Sequence, residues 1–231
     1  MLSEQILIVI WQVGFPTFSH LQGDYVKLKQ AYIMTSKLLL FIGIPLAGGL
    51  LILSRNFIHL FLTDRWLPIL PIIQILCFDV IIKFISTPSE ILFQAVGMPS
   101  INTKIYTFRL LILGLCIYPL SFYYGIIGIA FSIFLSSLFV LPFIGYMALK
   151  IMKCSFLEFI KPILLPLINT LLMVVGIFII KKYIFIKIDF IKFFYLIFAG
   201  MIIYFMIAYL FDRYFNYGIY KLIKERIAAL K

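Results

Sequence analysis

Long apolar stretches separated by short charged segments run along almost the whole chain. A transmembrane helix needs about 20 mainly apolar residues, and six stretches meet this requirement. The longest uncharged run, of 40 residues between Arg109 and Lys150, is long enough for two of them. The pattern therefore predicts an all-α, polytopic transmembrane helix bundle. The predicted spans are 38–54, 66–94, two within 110–149 that meet at a turn over 121–125, 162–180 and 193–211.

Both ends of the chain depart from this pattern. Residues 5–15 are apolar but too short to span, and no basic segment precedes them as in a secretory signal. We expect them to be the end of a partial N-terminal helix whose beginning is missing, followed by a polar stretch over 16–37. Residues 212–231 combine apolar residues at helical spacing with cations on other faces. They predict an amphipathic tail on the cytoplasmic leaflet, or a frayed, solvated helix.

Composition excludes a soluble domain. Apolar residues make up 64% of the chain and charged residues only 13%, against about half and a quarter in ordinary globular proteins. The formal charge of +11 comes from cations at the ends of apolar runs, which favours anionic lipid head groups over nucleic acid as partners. His and Cys show no metal-binding spacing, and no nucleotide-binding glycine loop is present. We therefore expect no catalytic residue, cofactor or metal.

The distribution of cations predicts the orientation. If 16–37 is cytoplasmic, six crossings return the C-terminus to the cytoplasm. The cytoplasmic segments then carry 13 cations, including Lys104, Arg109 and five in the tail, and the external segments carry 6. This bias follows the positive-inside rule. It predicts a multi-pass protein with a cytoplasmic C-terminus.

The first hundred residues carry a series of short motifs whose order is more informative than any one of them. The motifs are FPTFS at 15–19, HLQGD at 20–24, IGIPLAGGL at 42–50, FLTDRW at 61–66, PIIQIL at 71–76 and PSEILFQAVGMP at 88–99. This series resembles the Wzx-type lipopolysaccharide and capsular polysaccharide flippases of the multidrug, oligosaccharidyl-lipid and polysaccharide exporter superfamily. The resemblance covers residues 5–100, and beyond them only hydropathy and spacing match.

The resemblance implies a fold and a function. Such flippases have two pseudo-symmetric lobes around a cavity and about twice this length, so we expect 1–211 to be the C-terminal lobe and 212–231 its tail. A missing N-terminal lobe would be its partner. The implied substrate is a polyprenyl-pyrophosphate-linked glycan, moved across the bacterial cytoplasmic (inner) membrane by alternating access, without enzymatic chemistry. The alternatives are a non-transporting remnant, an assembly partner of another membrane protein, or a membrane-embedded polysaccharide polymerase or acyltransferase.

Four residues of the second span are the candidate cavity residues. Intramembrane charges are costly and usually face a cavity or a partner, and the spacing of four places Asp79 and Lys83 on one helix face. Lys83 is expected to hold the pyrophosphate, with Asp79 as its resting partner or as a proton-responsive switch. Alternatively, the two form a structural ion pair near a helix end. Glu90 lines the cavity or caps a helix after Pro88. Gln74 bonds sugar hydroxyls or a neighbouring helix.

Overall fold

The computed structural model describes residues 2–183 and 189–215, and this part of the chain is helical apart from short connections. Apolar side chains at most positions, 64% of the chain, favour long helices that bury them against each other or against lipid. A π-helical turn, Ile58–Leu62, and a 3₁₀-helix, Asp64–Ile69, connect α2 to α3. The helices are α1 Leu2–His20, α2 Tyr25–Phe57, α3 Leu70–Ala95, α4 Pro99–Met152, α5 Phe156–Tyr183 and α6 Phe190–Phe215.

Helix α4 is two antiparallel arms, 99–124 and 126–152, joined at Gly125. Gly125 has φ 57° and ψ −135°. Residues that carry a Cβ rarely adopt this backbone conformation. A Cβ at Gly128 would overlap the carbonyl oxygen of Leu120, so the reversal also requires glycine at this second position. The predicted turn over 121–125 is therefore confirmed.

The chain is a multi-pass membrane protein, as the hydropathy pattern predicted. Five helices of the described part are long and apolar enough to cross a membrane, and one of them is the two-armed α4. Counting the two arms of α4 separately gives six segments of sufficient length, as predicted. The helices extend beyond the predicted spans, except that the first four residues of the span 66–94 lie in the 3₁₀-helix before α3. Helix α1 runs through Pro16, and α2 already begins at Tyr25. Most of the expected polar stretch 16–37 is therefore helical. The predicted tail lies outside the described residues except for 212–215, which continue α6.

Alternating helix directions give the bundle two sides. The near side carries residues 20–25, 95–99 and 152–156, and the far side carries residues 58–69 and Gly125. On the near side, Asp24 caps α2 by accepting from the backbone N–H of Val26 and Lys27. The bond from Lys27 is the main reason that the pKa of the Asp24 carboxyl lies below its usual range. Ser155 and Glu158 form a capping box at the start of α5.

Helix α2 lies at the centre of the bundle because small residues allow its neighbours to approach. A Cβ at Gly43 would overlap the Phe84 ring of α3, and one at Gly48 would overlap Thr170 of α5. Pro45 lacks the N–H that would bond the carbonyl of Phe41. The hydroxyl of Tyr204 in α6 donates to that carbonyl at 2.9 Å. Proline is tolerated here because another helix supplies the missing donor.

Candidate functional site

A buried carboxylate, Asp79 of α3, connects three helical segments. Its side chain is almost fully buried, and its Oδ2 lies 2.9 Å from Lys83 Nζ. Its Oδ1 lies 3.6 Å from Arg109 Nη2 in the first arm of α4. The hydroxyl of Ser137, in the second arm, donates to the same oxygen and accepts from Arg109 Nη2 at 2.7 Å. One carboxylate is therefore shared by two cations and a hydroxyl.

These groups lie near the middle of their helices. Lys83 is the fourteenth of the 26 residues of α3, which places it about 20 Å from the beginning and about 18 Å from the end at 1.5 Å per residue. Arg109 is the eleventh residue of α4 and lies about 15 Å from its start. The hydrocarbon core is about 30 Å thick. The cluster is therefore at mid-membrane depth, where unpaired charges are strongly disfavoured.

The cations face a cleft between α3 and α4. Lys83 and Arg109 expose 39% and 29% of their side chains, so each retains open surface although it is paired. The enclosed volume is about 20 Å³, enough for a water molecule but far too small for a sugar. The cleft is thus an open surface that carries charged side chains and not a closed pocket. Its lining consists of Ile82, Lys83, Ser86, Glu90, Ile105, Tyr106, Arg109, Ser137, Val140 and Ile144.

Glu90 lies in the same cleft, two helical turns from Lys83 towards the near side. Tyr106 of α4 donates its hydroxyl to Glu90 Oε2 at 2.9 Å. Asn102, also of α4, donates its amide to the backbone carbonyl of Glu90 at 2.9 Å. Helix α3 continues unbroken through Pro88 to Ala95, so the helical register from Lys83 to Glu90 is kept. The structure therefore brings Asp79, Lys83 and Glu90 to one face of α3.

Gln74 is placed differently from the other three. It is half-buried and is not among the residues that line this cleft. It precedes Lys83 by nine residues, and at about 100° per residue this spacing puts it half a turn away around α3. Its assignment to the substrate cavity remains a prediction without support from this geometry.

The sequence analysis missed Arg109, Tyr106 and Ser137. It assigned Arg109 to a cytoplasmic segment as a topology signal, whereas the structure places this residue inside the bundle. Without it the cation bias is 12 to 6, in the same direction. The signal that could have revealed Arg109 was its position ten residues into a helix that begins at Pro99. Tyr106 lies one turn before it and therefore on the same face.

Two cations that face one cleft offer positive charge and hydrogen-bond donors to an anion. Arginine forms directional hydrogen bonds with phosphate and carboxylate groups, and lysine acts as a point charge. Asp79 lies between the two cations and is their counter-charge while the cleft is free of ligand. The described part of the chain contains no group of three His, Cys, Asp or Glu side chains that could hold a metal ion.

Comparisons with known proteins connect this bundle to polysaccharide biosynthesis. The family model described as "Polysaccharide biosynthesis protein" matches residues 1–71. An uncharacterized membrane protein in the cps region of Klebsiella pneumoniae is 23% identical over 183 residues, covering 78% of this chain and 38% of the relative. The lipopolysaccharide biosynthesis protein WzxC of Escherichia coli (strain K12) is 29% identical over 101 residues, covering 44% of this chain and 20% of WzxC.

A solved structure shares the fold. The lipid II flippase MurJ in an inward closed conformation superposes with a TM-score of 0.74 at 18% identity, covering 93% of this chain and 46% of MurJ. This chain spans about half the length of MurJ and less than half of each curated relative. The comparisons confirm the resemblance to Wzx-type flippases and the all-α membrane fold predicted from the sequence.

Proposed function

We propose that this chain forms one wall of a transporter that moves lipid-linked oligosaccharide or polysaccharide units across the bacterial cytoplasmic membrane. The observation that carries the proposal is the cleft in which Lys83 and Arg109 share the buried Asp79 at mid-membrane depth. The similarity to proteins named for polysaccharide and lipopolysaccharide biosynthesis supports it, as does the fold shared with a lipid flippase.

The proposed substrate explains why charges lie in an apolar bundle. A polyprenyl-pyrophosphate-linked glycan has an apolar tail that can remain in lipid, and a charged, hydroxyl-rich head that cannot. Crossing hydrocarbon with unpaired charge costs several kcal/mol or more. A cationic wall replaces part of the water around the pyrophosphate, and no covalent chemistry is needed. On this proposal the candidate residues are Lys83 and Arg109 for the pyrophosphate, with Asp79 as their resting partner.

A passage for such a head group needs an opposing wall. The cleft described here is open on one side and too small to enclose a sugar. The proposal therefore includes a second lobe as partner, and rocking of the two lobes as the transport movement. On this proposal the near side of the bundle faces the cytoplasm, as the cation bias indicates.

Complementation of a flippase-deficient bacterium tests the proposal. The chain is expressed alone and together with the remaining half of a full-length relative, and surface polysaccharide is measured. We expect restoration only in the two-part system. There, Lys83→Gln and Arg109→Gln should each lower export at unchanged protein abundance, whereas the exposed Lys104→Gln should have no effect. Full export with both cations replaced would contradict the proposed role of the cleft.

A further inference from the structure

Glu90 is a carboxylate in a cleft whose other charged groups favour an anion. Among the described residues it has no ion pair, although Lys83 and Arg109 line the same cleft. A carboxylate here weakens the attraction for an anionic ligand, because like charges repel. A site that bound only pyrophosphate would be better without it. The presence of Glu90 therefore needs a separate physical reason.

The surroundings of Glu90 hold it in one orientation. Tyr106 donates to Oε2, and Asn102 fixes the backbone carbonyl, both from α4. An ionised carboxylate accepts on both oxygens and donates nothing. Oε1 has no partner among the described residues, and the Tyr106 oxygen can also accept a second bond. Two acceptors thus lie side by side in the cleft, and a ligand that satisfies them must supply donors.

The spacing relates these acceptors to the cations. Glu90 follows Lys83 by seven residues, or about 10 Å along α3, and Tyr106 precedes Arg109 by three, or about 5 Å along α4. These separations are similar to the length of one sugar ring attached to a diphosphate. The cleft therefore has a cationic part at mid-depth and a neighbouring hydroxyl-accepting part on the near side.

We infer that Glu90 and Tyr106 bind hydroxyl groups of the sugar adjacent to the pyrophosphate, so that this wall distinguishes glycans and does not only bind charge. The inference rests on the proposed function. Sites that hydrogen-bond a hydroxyl discriminate strongly against ligands that lack it, because the site's own polar groups are then left unpaired. This pair should therefore bind a sugar more weakly when the sugar lacks hydroxyls at the matching positions.

Binding of two lipids by the two-part complex, this chain together with the remaining half of a full-length relative, in lipid nanodiscs tests the inference. The probes are a polyprenyl pyrophosphate without sugar and the same lipid bearing one hexose. Glu90→Gln exchanges the acceptor at one oxygen for an amide donor. It should weaken binding of the hexose lipid about tenfold or more, as expected for loss of a charge-assisted hydrogen bond. Binding of the sugar-free lipid should be unchanged or tighter, because a negative charge has been removed.

Further variants separate the possible outcomes. Tyr106→Phe keeps the aromatic ring and removes the hydroxyl. It should weaken binding of the hexose lipid alone, by a few-fold. Glu158→Gln, a carboxylate outside the cleft, is the matched control, and thermal unfolding verifies the fold of every variant. The inference would be overturned if Glu90→Gln weakened binding of both lipids equally, or weakened binding of neither. If the wild-type complex binds neither lipid, or binds them independently of Lys83 and Arg109, the proposed function fails and the inference falls with it.

Discussion

Replacing Asp79 should destabilise the protein more than replacing either of its cations. Asp79→Ala leaves Lys83 and Arg109 facing each other in the membrane interior without a counter-charge, and Ser137 loses its bond to the carboxylate. Breaking a buried ion pair by removing one partner typically costs about 3–5 kcal/mol. Lys83→Ala is different, because Asp79 keeps Arg109 and Ser137.

The expected cost of Lys83→Ala is therefore about 1 kcal/mol, since 39% of the lysine side chain is exposed and the pair is partly screened. The gap of about 2–4 kcal/mol between Asp79→Ala and Lys83→Ala corresponds to about 30- to 700-fold in the unfolding equilibrium. Unfolding is followed by loss of helical circular dichroism in a titration with sodium dodecyl sulfate. Asp79→Asn retains a hydrogen-bonding side chain of the same shape, and its cost should lie between those of the two alanine variants.

Lys104→Ala, an exposed lysine in the same helix as Arg109, is the matched control and should have little effect. Equal costs for Asp79→Ala and Lys83→Ala would show that Arg109 and Ser137 do not compensate. A cost below about 1 kcal/mol for Asp79→Ala would refute the view that the two cations depend on this buried carboxylate.

Three further predictions concern the bundle itself. Tyr204→Phe leaves the carbonyl of Phe41 without a donor and should lower the free energy of unfolding by about 1–3 kcal/mol in the same titration. Gly128→Ala should reduce abundance in the membrane severely, because the added methyl overlaps the backbone of Leu120 and backbone cannot move aside cheaply. A reporter fused after Lys231 should be active only in the cytoplasm, as the cation bias indicates.

Each of these has a control in the same chain. Tyr118→Phe removes a hydroxyl from a tyrosine that is 76% exposed, and Gly114→Ala adds a methyl where nothing lies within 4 Å. Both should be neutral, and if they are as harmful as Tyr204→Phe and Gly128→Ala, the specific contacts are not the cause. A reporter inserted at Gly125 should be active only outside the cytoplasm, and the reverse result for both reporters would invert the topology.

The crossings were predictable because lipid imposes a simple rule on sequence. Each span must satisfy its own backbone bonds and present apolar side chains, so hydropathy alone finds it. The turn at Gly125 was predictable because two spans had to share one uncharged run. The Asp79–Lys83 pair was predictable because residues four apart meet on a helix.

Contacts between distant helices could not be predicted in the same way. Arg109 reaches Asp79 from another helix, and Tyr204 reaches the carbonyl of Phe41 across 163 positions. Such contacts depend on the rotation and crossing of packed helices, which are set by tertiary packing and not by any local sequence pattern. The position of Gln74 was different, because its distance of nine residues from Lys83 already indicated the opposite face of α3.

The charge cluster connects ligand binding to helix packing. Asp79 joins α3 to the two arms of α4 through Arg109 and Ser137. The contacts that keep the cations in place therefore also hold these segments together. On the proposed function, an anionic head group competes with Asp79 for the same two cations. A ligand shifts a conformational equilibrium only by its difference in affinity for the two states. The head group would therefore favour whichever arrangement of α3 and α4 relieves that competition.

Asp79→Asn, which weakens the resting contacts and leaves both cations in place, should then tighten binding of the sugar-free polyprenyl pyrophosphate. Weaker binding would instead show that Asp79 positions the cations for the ligand rather than competing with it.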